Sequence, residues 1–222
     1  MFEILGLNFH LYGLLIGLGV WLGFEVAVRV NRRSFRREKL EGAFLWMVIF
    51  GLVGARLYHV LDYWQRYYSQ NLIKIFYIWE GGLGIWGAIA GAITGMIIYS
   101  RLKKQNILRL LDALVIGAPL AQAIGRLGNW ANGELYGKNG EPLFAYEAGL
   151  NLMLFIFLWK QTKKKNSLGK MSGYYLIGYG LIRILLEGLR PDEIIWKIAG
   201  VPMAMIFGVV SIVIGIFIQR RP

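Results

Sequence analysis

Arg126, Asn129, Asn132 and Glu134 fall within nine residues of GRLGNWANGELYG, 125–137, and Tyr179, Arg183, Glu187 and Arg190 punctuate YGLIRILLEGLRPD, 179–192. A guanidinium presents a planar fork of N–H donors that matches phosphate or carboxylate, and amide side chains add neutral donors beside it. Arg126 and Asn129, three apart, can share a helical face, while Gly125 and Gly128 let another backbone approach closely. In the second stretch the four residues follow at i, i+4, i+8 and i+11, which aligns them on one face. The plain reading of that face is an Arg–Glu pair that satisfies itself, and this helix alone leaves both readings open. Packing accounts for the glycines of the first stretch, but not for an Arg, two Asn and a Glu so close together. Convergent donors around a cation suit an anionic headgroup. A third arginine, Arg56, lies in GLVGARLYHVL, and IWEGGLGIWGAIAGAITG, 78–95, opens on Gly81 and Gly82 and continues as the seam Gly87, Gly91 and Gly95. Taken alone, that glycine pattern signals helix packing more often than a site.

The surroundings explain why these polar groups matter. The chain has 222 residues, of which 56% are hydrophobic, beyond the apolar share of a soluble domain. A hydrocarbon core needs about 20 helical residues to cross. Stretches of that kind lie near 10–28, 42–61, 83–100, 108–127, 144–159, 172–189 and 199–218. The expected architecture is therefore an all-α integral membrane protein, residues 1–222 forming a single transmembrane domain of seven helices. Small extracytoplasmic caps are expected near 62–80, 128–143 and 190–198. Each intramembrane arginine costs about 2.5–3.5 kcal/mol near the middle of a span on insertion scales, so such a residue faces a cavity or a partner. Arg56 and Arg126 fall toward the outer ends of their spans and Arg183 about one turn deeper than Arg190, so all three can meet at similar depth in the outer leaflet.

The net charge of +12 is distributed as membrane topology requires, and the arrangement argues against nucleic acid. Arg29, Arg32, Arg33, Arg36, Arg37 and Lys39 follow the first span, and Arg101, Lys103, Lys104 and Arg109 follow the third. Lys160, Lys163, Lys164, Lys165 and Lys170 follow the fifth, and Arg220 and Arg221 end the chain, giving 17 of the 25 basic residues. The positive-inside rule then puts the N-terminus outside and the C-terminus in the cytoplasm, as an odd number of spans also requires. The charge runs themselves are read as solvated faces against membrane lipids. The first apolar segment has no basic region before it, so it reads as a retained span. There is no cysteine, and His10 and His59 are the only imidazoles. No metal and no cofactor is expected. His59 reads as an interfacial histidine, and Asp112 and Glu25, near cytoplasmic ends, as structural.

With these stretches in hand, the chain resembles the prolipoprotein diacylglyceryl transferase family. GRLGNWANGELYG carries the most specific likeness. FHLYGLL at 9–15, GARLY at 54–58, WEGGLGIWG at 79–87, YEAGLNL at 146–152 and YGLIRILLEGLRPD at 179–192 match in order. The resemblance implies a multi-pass enzyme of the bacterial inner (plasma) membrane whose site opens to the outer leaflet. It would move the diacylglyceryl group of phosphatidylglycerol onto the lipobox cysteine thiol of a prolipoprotein signal peptide, releasing glycerol phosphate. This is the first step of lipoprotein maturation. Carried over motif by motif, the functional residues are Tyr12, Arg126, Asn129, Glu134, Gly137, Tyr179, Arg183 and Glu187.

In that reading Arg126 and Arg183 hold the phosphate, and Glu187 orients Arg183. Glu134 orients Arg126 or takes the thiol proton, and Asn129 bonds the headgroup. Tyr12, Tyr179, Gly137, Asn132 and Arg190 line the substrate, Arg56 plays a secondary part, and Gly81 and Gly82 give lipid or peptide room. The chain departs from the family at Trp86, where many members have a histidine, and at Glu141, where a second histidine is common. Indole takes no proton at neutral pH. The last span also lacks the family's usual glutamine-containing lead-in. The alternative is a lipid-binding transporter or scramblase with an outer-leaflet phosphate site, although no internal repeat is evident.

Overall fold

A computed structural model describes residues 2–4, 7–9, 11–164 and 166–220; His10, Lys165 and Arg221 lie outside the described residues. The order is β1 (Phe2–Ile4), β2 (Leu7–Phe9), α1 (Leu11–Asn31), α2 (Arg37–Asp62), α3 (Ile85–Leu102), α4 (Ile107–Leu114), α5 (Ala118–Ala131), α6 (Leu143–Gln161), α7 (Lys170–Glu187), β3 (Lys197–Ile198), β4 (Val201–Pro202) and α8 (Met203–Gln219). A 3-10 turn, Val115–Gly117, joins α4 to α5. The two strand pairs are small antiparallel hairpins.

Helices occupy the apolar stretches because a chain in hydrocarbon must satisfy every backbone N–H and C=O internally. Among the described residues, five helices are long and apolar enough to cross a membrane: α1, α2, α3, the continuous α4–α5 segment Ile107–Ala131, and α6. Helix α8 is apolar but shorter, and α7 carries Lys170, Arg183 and Glu187. Their outward faces expose large apolar side chains, among them Leu14, Trp21, Leu45, Met153, Leu185 and Phe217. A contiguous apolar surface of this kind marks contact with lipid or protein rather than water.

The chain forms two compact units, Met1–Ser34 with Leu111–Pro222, and Phe35–Leu110. In the second, α2 and α3 pack antiparallel along a glycine seam. A Cβ on Gly87, Gly91 or Gly95 would strike the backbone carbonyls of Gly54, Phe50 and Trp46 in turn, so the two backbones touch. Tyr99 closes the far end by donating to the Lys39 carbonyl at 2.9 Å.

In the first unit α1 packs on α5, α5 on α6, α6 on α7 and α7 on α8. Gly23 meets Gly117, and Gly173 and Gly180 meet Gly215 and Gly208, again backbone to backbone. Ile116, Leu154, Leu158, Met171, Ile182 and Leu186 form one buried core cluster. Asp112, on α4, caps α7 from a distance: its carboxylate accepts the Gly169 N–H at 2.6 Å, the Ser172 N–H at 2.8 Å and the Ser172 hydroxyl at 2.7 Å. The two N–H groups are orphan donors of the helix start, and a negative charge there also opposes the positive end of the helix dipole. Replacing Asp112 with Ala strands them and should cost about 2–3 kcal/mol. Thermal unfolding in detergent should show a lowered midpoint for Asp112→Ala and partial retention for Asp112→Asn; an unchanged midpoint for Asp112→Ala would rule out the cap.

Candidate active site

Helix α5 ends at Ala131, and its last two turns bring Arg126 and Asn129 to one face. Asn129, 8% exposed, accepts from Arg126 Nη1 at 3.0 Å and donates to Glu134 Oε2 at 3.2 Å. The chain reverses through Gly133 and Leu135, both at positive φ, and Glu134 N–H closes the turn on the Asn129 carbonyl at 2.8 Å. Asn132 reaches the other oxygen of Glu134 at 3.2 Å. Glu134 therefore does not touch Arg126 directly; it fixes the amide that does.

The direct partner of Arg126 is Glu147, in the second turn of α6. Arg126 Nη2 lies 2.5 Å from Glu147 Oε1, and Arg183 Nη1 lies 3.9 Å from the same oxygen. Glu147 is 3% exposed, so two guanidiniums from different helices share one buried carboxylate. Arg183 continues to Glu187 Oε2 at 3.8 Å, and Arg190, just beyond the end of α7, reaches that oxygen at 3.9 Å. The result is one polar chain, Asn132, Glu134, Asn129, Arg126, Glu147, Arg183, Glu187 and Arg190. Three arginines and three glutamates cancel in formal charge, which is what makes the burial of Glu147 and Glu187 tolerable. Yet the cluster is not saturated. The contacts of Arg183 exceed hydrogen-bond length, and among the described residues the buried Arg126 Nε has no hydrogen-bond partner. Guanidinium donors are thus held close together with capacity to spare for an anion.

The remaining expected site residues are placed as follows. A Cβ on Gly128 would strike the Tyr12 ring, which sets Tyr12 against α5 two residues beyond Arg126. Tyr179, one turn before Arg183, stacks on Tyr175 with ring centroids 5.9 Å apart. Gly137 is buried where a Cβ would hit the Glu141 carboxylate and the Leu189 carbonyl. Its neighbour Lys138 donates its N–H to that carbonyl at 3.0 Å. This ties the 133–141 loop to the residue before Arg190. Glu141 holds the loop by accepting from the Asn139 N–H and side-chain amide, each at 2.9 Å.

Arg56, Gly81 and Gly82 belong to the other unit and do a different job there. Arg56 is 8% exposed and donates to the carbonyls of Ile75 at 2.8 Å, Gly81 at 2.7 Å, Gly82 and Tyr77 at 3.1 Å, and Lys74. A guanidinium has five N–H groups, and loop carbonyls take them all. Gly81 and Gly82 hold positive φ, 87° and 70°, which aims their carbonyls at Arg56. Arg56 is thus a loop clamp, all of its N–H groups taken by the loop. His59 hydrogen-bonds the Tyr68 hydroxyl through Nδ1 at 3.0 Å and stacks on Tyr63.

Fold and cluster together define a class: an all-helical membrane protein with an internal arginine–carboxylate network. Comparison with known proteins specifies it further. The family model described as prolipoprotein diacylglyceryl transferase matches residues 1–220. Proteins named phosphatidylglycerol–prolipoprotein diacylglyceryl transferase are similar along nearly the whole chain. That of Finegoldia magna is 33% identical, covering 99% of this chain and 94% of its own length. That of Clostridium novyi is 35% identical, covering 98% and 93%, and that of Parasynechococcus marenigrum 36% identical, covering 87% and 80%. The chain belongs to the prolipoprotein diacylglyceryl transferase family.

Two measurements check the geometry. Glu147→Gln leaves two partly buried guanidiniums facing each other without their shared charge and should destabilise the protein by about 2–3 kcal/mol. Adding Arg126→Gln to it should recover part of the loss; strict additivity of the two losses would mean that the pair is not coupled. For the loop, bonds from Asn139 hold the Glu141 carboxyl below its usual range. A depressed folded value means stabilisation that is complete above the ordinary carboxylate range and lost as pH falls through the folded one. Amide exchange at Asn139 should therefore speed up, beyond its intrinsic pH dependence, on acidification in wild type but not in Glu141→Gln, and identical profiles would contradict this.

Proposed function

We propose that this chain transfers the diacylglyceryl group of phosphatidylglycerol to the lipobox cysteine of prolipoproteins, working in the bacterial plasma membrane with its site toward the outer leaflet. The topology we infer has seven spans, near 10–28, 42–61, 83–100, 108–127, 144–159, 172–189 and 199–218. The N-terminus is outside, the C-terminus cytoplasmic, and the caps near 62–80, 128–143 and 190–198 extracytoplasmic. Alternation of the basic loops supports that orientation, and the names of the relatives support transfer over transport or scrambling.

The single observation that carries the site assignment is the sharing of Glu147 by Arg126 and Arg183 with donors to spare. A phosphodiester monoanion placed at this junction meets both guanidiniums. The cysteine thiol loses its proton, and its sulfur forms a bond to the terminal glyceryl carbon of the diacylglyceryl group. The bond from that carbon to the phosphate oxygen breaks, and glycerol phosphate leaves carrying the electron pair. Negative charge grows on the phosphate during this step, so fixed cations aimed there lower the barrier. The Arg126 and Arg183 guanidiniums, acting at close range on the incoming sulfur, lower the thiol pKa from about 8.5 and favour thiolate without the histidine that Trp86 replaces. Glu134, exposed where Glu147 and Glu187 are buried, is the carboxylate placed to take the thiol proton. Glu147 and Glu187 hold the arginines in position. Tyr12, Tyr179, Asn129, Asn132, Gly137 and Arg190 shape the surroundings of the headgroup, and Arg56 with Gly81 and Gly82 keeps the 74–82 loop in place.

Purified protein in phosphatidylglycerol vesicles, given a lipobox peptide, should add one diacylglyceryl group to cysteine and none to a serine control, as read by mass spectrometry. Arg126→Ala and Arg183→Ala should each lower turnover by about 10²-fold or more while remaining folded. Wild-type turnover by Arg126→Ala would reject the phosphate role, and an inert wild type would reject the function.

A further inference from the structure

Two guanidiniums act on one phosphate only while the helices that carry them keep their spacing. Helix α6 lies between α5 and α7 in the packing order, and no glycine of α5 or α7 would meet the other helix through an added Cβ. Their relative placement therefore falls to side chains and not to a backbone seam. Glu147 supplies one link, but its contact with Arg183 is 3.9 Å, longer than a hydrogen bond. That link also weakens when it is needed. An anion entering between Arg126 and Arg183 competes with Glu147 for both guanidiniums, and two cations with a loosened tie repel.

A neutral link lies deeper in the same unit. Gln122 precedes Arg126 by one turn of α5, and its Nε2 donates to the Tyr175 hydroxyl of α7 at 2.8 Å. Tyr175 stacks on Tyr179, and Tyr179 precedes Arg183 by one turn. Residues four apart stand over one another on a helix, so this bond joins the two helix faces that carry Arg126 and Arg183. At about 1.5 Å of rise per residue it lies about 6 Å along α5 and about 12 Å along α7 from them. The pair carries no net charge, so an arriving anion does not compete for it. Its far side is anchored, because Tyr175 packs against the apolar core cluster. Among the described residues Gln122 Oε1 is buried without a hydrogen-bond partner, and a buried unpaired oxygen costs stability. The bond therefore fixes the spacing of two helices while adding little to the stability of the fold.

We propose that Gln122 and Tyr175 are positioning residues: their bond braces α5 against α7 and keeps Arg126 and Arg183 at the separation that one phosphate bridges while Glu147 yields to it. This inference rests on the lipid-phosphate reading of the arginine cluster and adds to it the element that holds the cluster's geometry during binding.

The test uses full-length protein in phosphatidylglycerol vesicles with the lipobox peptide. Tyr175→Phe keeps the ring and its stack on Tyr179, and Gln122→Met keeps the length of the side chain. Misplacement by about 1 Å costs up to about 10²-fold, so each variant should lower kcat by about 3–30-fold. The double variant should lose no more than the larger single loss, because a brace cut at one end is already cut. In an Arg126→Ala background, where nothing is left to position, adding Tyr175→Phe should change kcat by less than about twofold. The thermal midpoint of the double variant should equal or exceed that of wild type, since removing both ends also removes the unpaired oxygen. A merely structural role predicts the reverse, a lowered midpoint with kcat per folded molecule unchanged. Wild-type kcat in the double variant, or single losses that multiply, overturns the brace. A second readout needs no turnover: the Arg126 and Arg183 side-chain nitrogen-15 resonances should be sharp in wild type and broadened or split in the double variant. Unchanged resonances overturn the brace, whereas an inert wild type whose resonances respond as expected counts against the proposed reaction alone.

Discussion

The first unit depends on one buried carboxylate. Glu147 is 3% exposed and lies within ion-pair distance of guanidiniums on two other helices. Two arginines brought together in an apolar bundle repel each other, and each is costly to insert. A carboxylate between them converts that repulsion into a tie linking α5, α6 and α7. The tie also leaves the arginines unsaturated, because a single oxygen cannot satisfy the donors of both. Stability and the capacity to receive a further anion come from the same arrangement.

Around that centre the packing is mostly backbone on backbone. Helices in hydrocarbon gain little from burying apolar side chains, so close approach through glycines supplies the contact. The Gly87, Gly91 and Gly95 seam does this for α2 and α3, and Gly173, Gly180, Gly208 and Gly215 do it for α7 and α8. The height of α7, and with it the level of Arg183, is set at its other end by Asp112, which binds three donors at the helix start. A residue near the far end of the bundle therefore helps to place the polar cluster.

Local spacing makes much of this legible from sequence. Arg126 and Asn129 are three apart on one helix, so helical geometry alone brings them together, with Glu134 just past the exit, and the i, i+4 relation of Arg183 and Glu187 works the same way. Glu147 is absent from the residues that spacing singles out, although a signal exists: it is the only charged residue in the apolar stretch 144–159. Nothing in the spacing says which arginine it meets, because that follows from how α6 packs on α5 and α7. Arg56 shows the opposite difficulty. Its intramembrane cost calls for a partner, but five loop carbonyls, presented by 3-10 turns and two glycines at positive φ, leave no side-chain pattern to read. The short hairpins β1–β2 and β3–β4 are equally silent in the sequence, since two or three residues per strand give no periodicity.

Two guanidiniums meeting one lipid phosphorus is the central claim, and dipolar coupling between nitrogen-15 and phosphorus-31 measures that proximity directly in bilayers. With arginine side chains labelled and phosphatidylglycerol as the phosphorus source, coupling is expected to both Arg126 and Arg183. Each single Lys replacement should abolish one of the two couplings, and the double replacement should abolish both. Coupling that persists in the double variant, or its absence from wild type, would contradict the claim.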